Sequence, residues 1–133
     1  ANNATLAGHV HVGDHAIIGG LSAVHQFVRI GAHVMIGGMS GVENDVIPYG
    51  LVMGERARLA GLNLIGLERR GFAREDVQTL MKAFKYLFND SDGTLAQRLD
   101  HIRDEYTDHQ LVQDVITFAS QEKTRPLCQP KAR

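Results

Sequence analysis

Between Leu6 and Ile47 the chain repeats itself every six residues, as LAGHVH, VGDHAI, IGGLSA, VHQFVR, IGAHVM, IGGMSG and VENDVI. The first place of each block is aliphatic (Leu6, Val12, Ile18, Val24, Ile30, Ile36, Val42), and the fifth is small or branched (Val10, Ala16, Ser22, Val28, Val34, Ser40, Val46). A period of six fits neither the 3.6 of a helix nor plain alternation along a strand. It fits a coil of three short strands, each turning a corner after one block, so that one aliphatic per side points into a narrow core. Stacked coils then pair by parallel main-chain hydrogen bonds, each about 4.8 Å above the last. The repeat therefore predicts a parallel β-helix, and the residues themselves leave its hand open.

Charge marks where this architecture stops. Residues 1–54 carry only Asp14, Arg29, Glu43 and Asp45, whereas the remainder carries 13 basic and 12 acidic side chains. Residues 55–71 read as a connecting segment in which Arg56, Arg58, Arg69 and Arg70 outnumber Glu55 and Glu68. Such a patch suits a phosphate or an acidic protein partner, and equally a solvated linker surface.

From residue 72 to 122 the pattern becomes helical. Val77, Leu80, Met81, Phe84, Leu87 and Phe88 recur at helical spacing up to Asn89 and the turn Ser91-Asp92-Gly93. Thr94 is placed to cap a second helix through Leu95, Leu99, Ile102 and Tyr106, and a third runs from about His109 through Leu111, Val112, Val115 and Phe118. These stripes are the core of a small packing domain. The tail, residues 123–133, has two prolines and no period, and is expected to be loose.

Five histidines fall inside the repeat. His15 and His33 lie three blocks apart, so they occupy the same corner on successive coils, where two imidazoles about 5 Å apart are placed to share a metal. No third ligand is forced by the spacing, and polar side chains are habitual on outward corners. His25 stands in the second place, where most blocks have glycine or alanine, and such a break is the kind a functional site makes. His9 precedes it by slightly less than a full coil and faces the same groove if that groove lies at a corner. A surface imidazole bonded to a neighbouring coil is the plainer reading of each taken alone.

Other chemistry finds little support. The glycines are spread at the repeat period and form no nucleotide loop, and there is no CxxC, no HExxH and no serine-elbow context. The basic segment lacks interleaved aromatics, so nucleic-acid binding is not expected. No apolar run approaches the roughly 18 residues of a membrane span, and no basic-then-apolar leader opens the chain. With the single Cys128 and a net charge of −1, a cytoplasmic protein is the default.

The segments LAGHV, GG-x-x-AVHQF, IGAHVM-x-GG-x-SGV and GLN-x-x-GL-x-RRGF together resemble the C-terminal half of the UDP-N-acetylglucosamine O-acyltransferases, which open lipid A assembly. The likeness runs in register from Ala1 to about residue 88 and continues more weakly through the helices. It implies a left-handed parallel β-helix of hexapeptide repeats followed by a small helical domain. The hand it implies runs against the right-handed preference of ordinary parallel crossovers. It also implies acyl transfer from a (R)-3-hydroxyacyl-acyl carrier protein to the 3-hydroxyl of UDP-N-acetylglucosamine. A neutral imidazole is suited to take the hydroxyl proton, without metal or cofactor. The family forms homotrimers whose sites lie in the groove between neighbouring coils.

Carried over by position, the resemblance makes His9 and His25 catalytic-site histidines and makes Gln26 a lining residue of the nucleotide-sugar and acyl site. Asn63, Arg69 and Arg70 match the segment that contacts the UDP portion and the donor side. Gly38 falls where the family limits acyl length, and its lack of a side chain predicts a long donor. Arg56 and Ile65 replace a histidine and a glutamate of the family, so uridine contacts are expected to be rearranged. The family's principal base, a histidine, belongs upstream of Ala1, so the chain is expected to be the C-terminal part of a longer enzyme. Its truncated coil stack would otherwise expose an uncapped edge. The alternatives are a sister hexapeptide N-acyltransferase, a non-catalytic module that binds acyl carrier protein or a nucleotide sugar, and a zinc-dependent carbonic anhydrase of similar architecture.

Overall fold

The computed structural model describes residues 1–89 and 92–131. Seven short strands follow one another at the block period: β1 (Thr5–Leu6), β2 (His11–Val12), β3 (Ile17–Ile18), β4 (Ala23–Val24), β5 (Arg29–Ile30), β6 (Met35–Ile36) and β7 (Gly41–Val42). They fall on three sides, with β1, β4 and β7 on the first, β2 and β5 on the second, and β3 and β6 on the third. Every pairing among them is parallel and joins residues three blocks apart, as in Thr5 opposite Ala23, His11 opposite Arg29 and Ile17 opposite Met35. One block makes one side of the coil, and three make one turn. First-place Val24, Ile30, Ile36 and Val42 and fifth-place Val28 and Val34 are buried inside it. Ser22 and Ser40 fill fifth places on successive coils, and both hydroxyls donate to the Gly37 carbonyl, at 3.0 and 2.6 Å.

The corners explain most of the histidines. Each fourth-place residue from Asn3 to Met39 turns the chain in the left-handed region, with φ between 59 and 68°. That conformation strains most side chains, and histidine and asparagine are among those that adopt it more readily. The strain is offset by hydrogen bonds from the corner N–H to the coil before: Leu21 to Asn2 O at 3.1 Å, Phe27 to Gly8 O at 3.1 Å and His33 to Asp14 O at 2.8 Å. His9, His15 and His33 are corner residues in this sense. Second places differ by side. On the second and third sides a Cβ would collide with the next coil, since one added to Gly13 would lie 2.5 Å from Ala32 N. The first side carries Ala7, His25 and Glu43 instead, so side chains stand in a column along that edge.

The repeat slips in the third coil. Val46 pairs with Ile30, and Leu51 with Met35, so each partner arrives before the full turn is complete. The seventh block is therefore cut short, and Val46, expected in a fifth place, takes the inward first place. Its neighbour Asp45 falls opposite Arg29, is fully buried, and accepts from Arg29 N–H at 2.8 Å and Arg29 Nε at 3.0 Å. The corner position then falls on Tyr49, at φ 68°. β8 (Gly50–Met53) continues the third side and turns back antiparallel into β9 (Arg58–Leu62).

α1 (Leu64–Arg69) follows inside the segment read as a connector, then α2 (Arg74–Asn89), α3 (Leu95–Glu105) and α4 (Gln110–Ser120). Thr94 caps α3 as expected, in a reciprocal box with Gln97, and the turn anticipated at Ser91 lies partly outside the described residues. His109 caps α4 with its own imidazole, Nδ1 accepting from Val112 N–H at 3.4 Å. Ile47 and Leu62 of the coil meet Leu80, Leu87, Ile102 and Val115 of the helices in one apolar seam. The expectation of a loose tail is corrected for residues 123–131. Leu127 and Cys128 are buried, Asp45 bridges Leu127 in parallel, and Arg125 donates to the Gln26 and Glu43 carbonyls at 2.7 and 2.9 Å. Ala132 and Arg133 lie outside the described residues.

Candidate functional site

A groove of about 790 Å³ runs along the third side. One wall is the outward face of the strands, with Ile17, Met35, Leu51 and Met53, and the other is α1. Asn63 fixes that second wall. Its Oδ1 accepts from Gly66 N–H at 3.1 Å, capping α1, while its Nδ2 donates to the His33 carbonyl at 3.0 Å. Gly66 is required there, because a Cβ would overlap the Asn63 amide. Arg69 and Arg70, at the end of α1, line the same groove and are exposed. The groove is thus amphipathic, with two guanidinium groups and an amide among its polar lining residues and aliphatic side chains along the strands.

Aromatic packing holds the corner beside it. His15 and His33 pack with ring centroids 4.9 Å apart and planes tilted by 33°, at the separation their three-block spacing predicts. His33 stacks in turn on Tyr49 at 5.6 Å, and Phe72 meets both edge-on at 5.1 and 5.9 Å. Tyr49 Oη donates to Asp114 Oδ2 at 2.6 Å, and Gln110 Nε2 holds Oδ1 of the same carboxylate at 2.7 Å. Burial and the Asp114 bond push the Tyr49 hydroxyl well above its ordinary range. Burial first, then the charges of His15 and Arg70, hold His33 below the ordinary histidine value, so its imidazole is neutral near pH 7. Among the described residues no group of three His, Cys, Asp or Glu is placed to hold a metal ion.

His9, His25 and Gln26 lie elsewhere, about the corner between the first and second sides. His9 stacks flat on Phe27, one coil on, at 5.0 Å and 7°. His25 follows β4, its N–H bonded to Val42 O at 2.9 Å, and the carbonyl of Gln26 accepts from Arg125. All three side chains are exposed. Within one chain, then, the candidate residues form two groups on different corners: His9, His25 and Gln26 on one, Asn63, Arg69 and Arg70 on the other. Gly38 sits at the third corner, directly after the groove residue Gly37, where an added Cβ would lie 3.4 Å from Gly20 O. Arg56 stands 3.9 Å from Glu43 and away from the groove residues, whereas Ile65 lines the groove and is 65% exposed.

Sequence reasoning missed Tyr49, Phe72 and Asp114 as parts of this corner. Tyr49 follows His33 by less than a full coil, so the slip hides it from any search at the coil period. Phe72 and Asp114 come from the helical part, where periodicity says nothing about the coil.

The family model described as "Udp N-acetylglucosamine O-acyltransferase; Domain 2" matches residues 45–128. The acyl-[acyl-carrier-protein]--UDP-N-acetylglucosamine O-acyltransferase of Sinorhizobium fredii is 42% identical over 130 residues, 98% of this chain and 48% of that protein. The protein of the same name from Campylobacter concisus is 53% identical over 89 residues, 67% of this chain and 34% of that protein. The solved structure of UDP-N-acetylglucosamine acyltransferase from Campylobacter jejuni superposes with a TM-score of 0.89 at 38% identity, covering 98% of this chain and 50% of that one. The chain spans about half the length of the curated relatives it matches over its whole extent.

Proposed function

Because the chain belongs to the UDP-N-acetylglucosamine O-acyltransferase family, we propose that it works in moving a (R)-3-hydroxyacyl chain from acyl carrier protein to the 3-hydroxyl of UDP-N-acetylglucosamine, the first step of lipid A biosynthesis. The observation that carries this reading is the amphipathic groove, whose Asn63, Arg69 and Arg70 suit a nucleotide diphosphate while Ile17, Met35 and Met53 suit an alkyl chain. The coil is left-handed, as in the hexapeptide-repeat relatives, and the protein acts in the cytoplasm.

The separation of the two residue groups is accounted for by a homotrimer in which His9, His25 and Gln26 of one copy face the groove of the next. The sugar hydroxyl is a poor nucleophile at neutral pH. A neutral imidazole accepts its proton as the oxygen attacks the thioester carbonyl, and collapse of the tetrahedral intermediate expels the carrier thiol. The family's principal base, a histidine by the resemblance, has no counterpart among residues 1–133. His25 and His9 orient the acceptor and stabilise charge on the reacting carbonyl oxygen. Gly38 leaves room for a long acyl chain.

The test is a calorimetric titration with UDP-N-acetylglucosamine, paired with an acyl-transfer assay on the protein as its natural source makes it. Saturable binding weakened by Arg70→Ala, with turnover on long 3-hydroxyacyl donors, is the expected result. Binding without turnover in the natural protein would replace an enzyme with a binding module.

A further inference from the structure

His33 lines the groove with its backbone held by two hydrogen bonds and its ring held by aromatic packing, and the functional reading above does not use it. Its N–H donates to Asp14 O and its carbonyl accepts from Asn63 Nδ2, so the backbone is held on both sides. Its ring is packed by His15, Tyr49 and Phe72 and lines the groove together with Asn63 and Arg70. We propose that His33 contacts the diphosphate of the bound ligand and that Tyr49 is the positioning residue that presents it. This rests on the nucleotide-sugar reading above.

The charges around the ring make the contact proton-linked. His15 on the preceding coil and Arg70 on α1 disfavour its protonation, while Asp114 on α4 and Asp14 on the preceding coil favour it, and burial outweighs each of them. Tyr49 faces the ring as a neutral phenol. Empty, the groove holds a neutral imidazole with one N–H to donate. A diphosphate set between His33 and Arg70 adds negative charge, which favours the imidazolium and a charge-assisted hydrogen bond. Binding therefore takes up a proton at His33, and by reciprocity lower pH tightens binding.

The ring resonances of His33, assigned by their loss in His33→Gln, are followed through a pH titration alone, with inorganic pyrophosphate and with UDP-N-acetylglucosamine. Calorimetry in two buffers of different ionisation enthalpy counts the protons. The expected results are an upward move of the His33 titration with either ligand and net proton uptake on binding. In His33→Gln that uptake is abolished and affinity falls about tenfold, the loss of one charge-assisted bond. Tyr49→Phe, which keeps the stacked ring, retains the linkage, and Tyr49→Ala loses it. Nucleotide-sugar binding with an unmoved His33 titration overturns the inference and leaves the functional reading standing. A response to pyrophosphate without binding of the nucleotide sugar keeps the diphosphate contact and removes the sugar. Failure of both ligands to bind overturns both.

Discussion

Tyr49 and Asp114 join the two halves of the chain: the phenol of a coil corner donates to a carboxylate on α4 at 2.6 Å, across 65 positions of sequence. The Tyr49 ring stacks on His33, so the helical part supports the wall of the groove.

Tyr49→Phe removes this bond while keeping the ring, and is expected to lower unfolding stability by about 1 kcal/mol. It also has a pH signature. The folded state holds the Tyr49 proton more tightly than the unfolded chain, whose ordinary value is 10.0. The contribution is therefore complete below pH 10 and is lost as pH rises from there towards the folded value. Denaturant midpoints measured from pH 8 to 11 should fall more steeply for the native sequence than for Tyr49→Phe.

His33 acts on the acid side with the opposite sign. Its folded value lies below the ordinary 6.5, so its contribution is present above pH 6.5 and is lost as pH falls through the folded value. His33→Gln should flatten the stability profile between pH 7 and 5. An unchanged slope would mean that the ring is as free to protonate in the folded chain as in the unfolded one.

Arg29 and Asp45 form a buried pair, with Arg29 also lying 4.1 Å over the Phe118 ring. Arg29→Met leaves a buried carboxylate without its cation and is expected to cost about 3 kcal/mol. Adding Asp45→Asn should restore part of that loss, which a double-mutant cycle reads as coupling. Because Asp45 also seats the tail, Arg29→Met should speed proteolysis near Leu127.

Second-place residues should divide by side of the coil. Gly13→Ala forces a Cβ against Ala32 N and is expected to cost about 1–3 kcal/mol. His25→Ala, on the side where Ala7 already stands, should stay within about 0.5 kcal/mol of native in chemical denaturation. Loss of function by the same variant would then be a loss at the site and not of the fold.

The coil was legible because its constraint is local and repeated. One inward aliphatic per side recurs in every block, and Ile17 opposite Met35 or Ala23 opposite Gly41 follows by counting. α2, α3 and α4 were legible for the same reason, down to the Thr94 cap, whereas α1 fell in the segment read as a connector. What was not legible depends on single long-range events. The short seventh block is decided by where Asp45 finds Arg29 and the tail, and nothing in VENDVI announces that. Cys128 and Leu127 look like an aperiodic end, yet they pack because Asp45 and Leu59 offer the tail backbone partners. At the site, the resemblance named seven residues one by one, but the placing of six of them on two corners, with Gly38 on the third, emerges only from the coil. The aromatic column was half visible, as His15 and His33, and its other half lay beyond the slip.

In the proposed homotrimer, that division puts one copy's His25 beside another copy's Arg70. The direct measurement is subunit complementation in the protein as its source makes it: His25→Ala and Arg70→Ala variants are unfolded together, reassembled one to one and assayed for acyl transfer. Sites shared between copies predict two variants that are each nearly inactive and a mixture that recovers about a quarter of native activity by random assortment. A mixture no more active than the separate variants would contradict a site shared in this way.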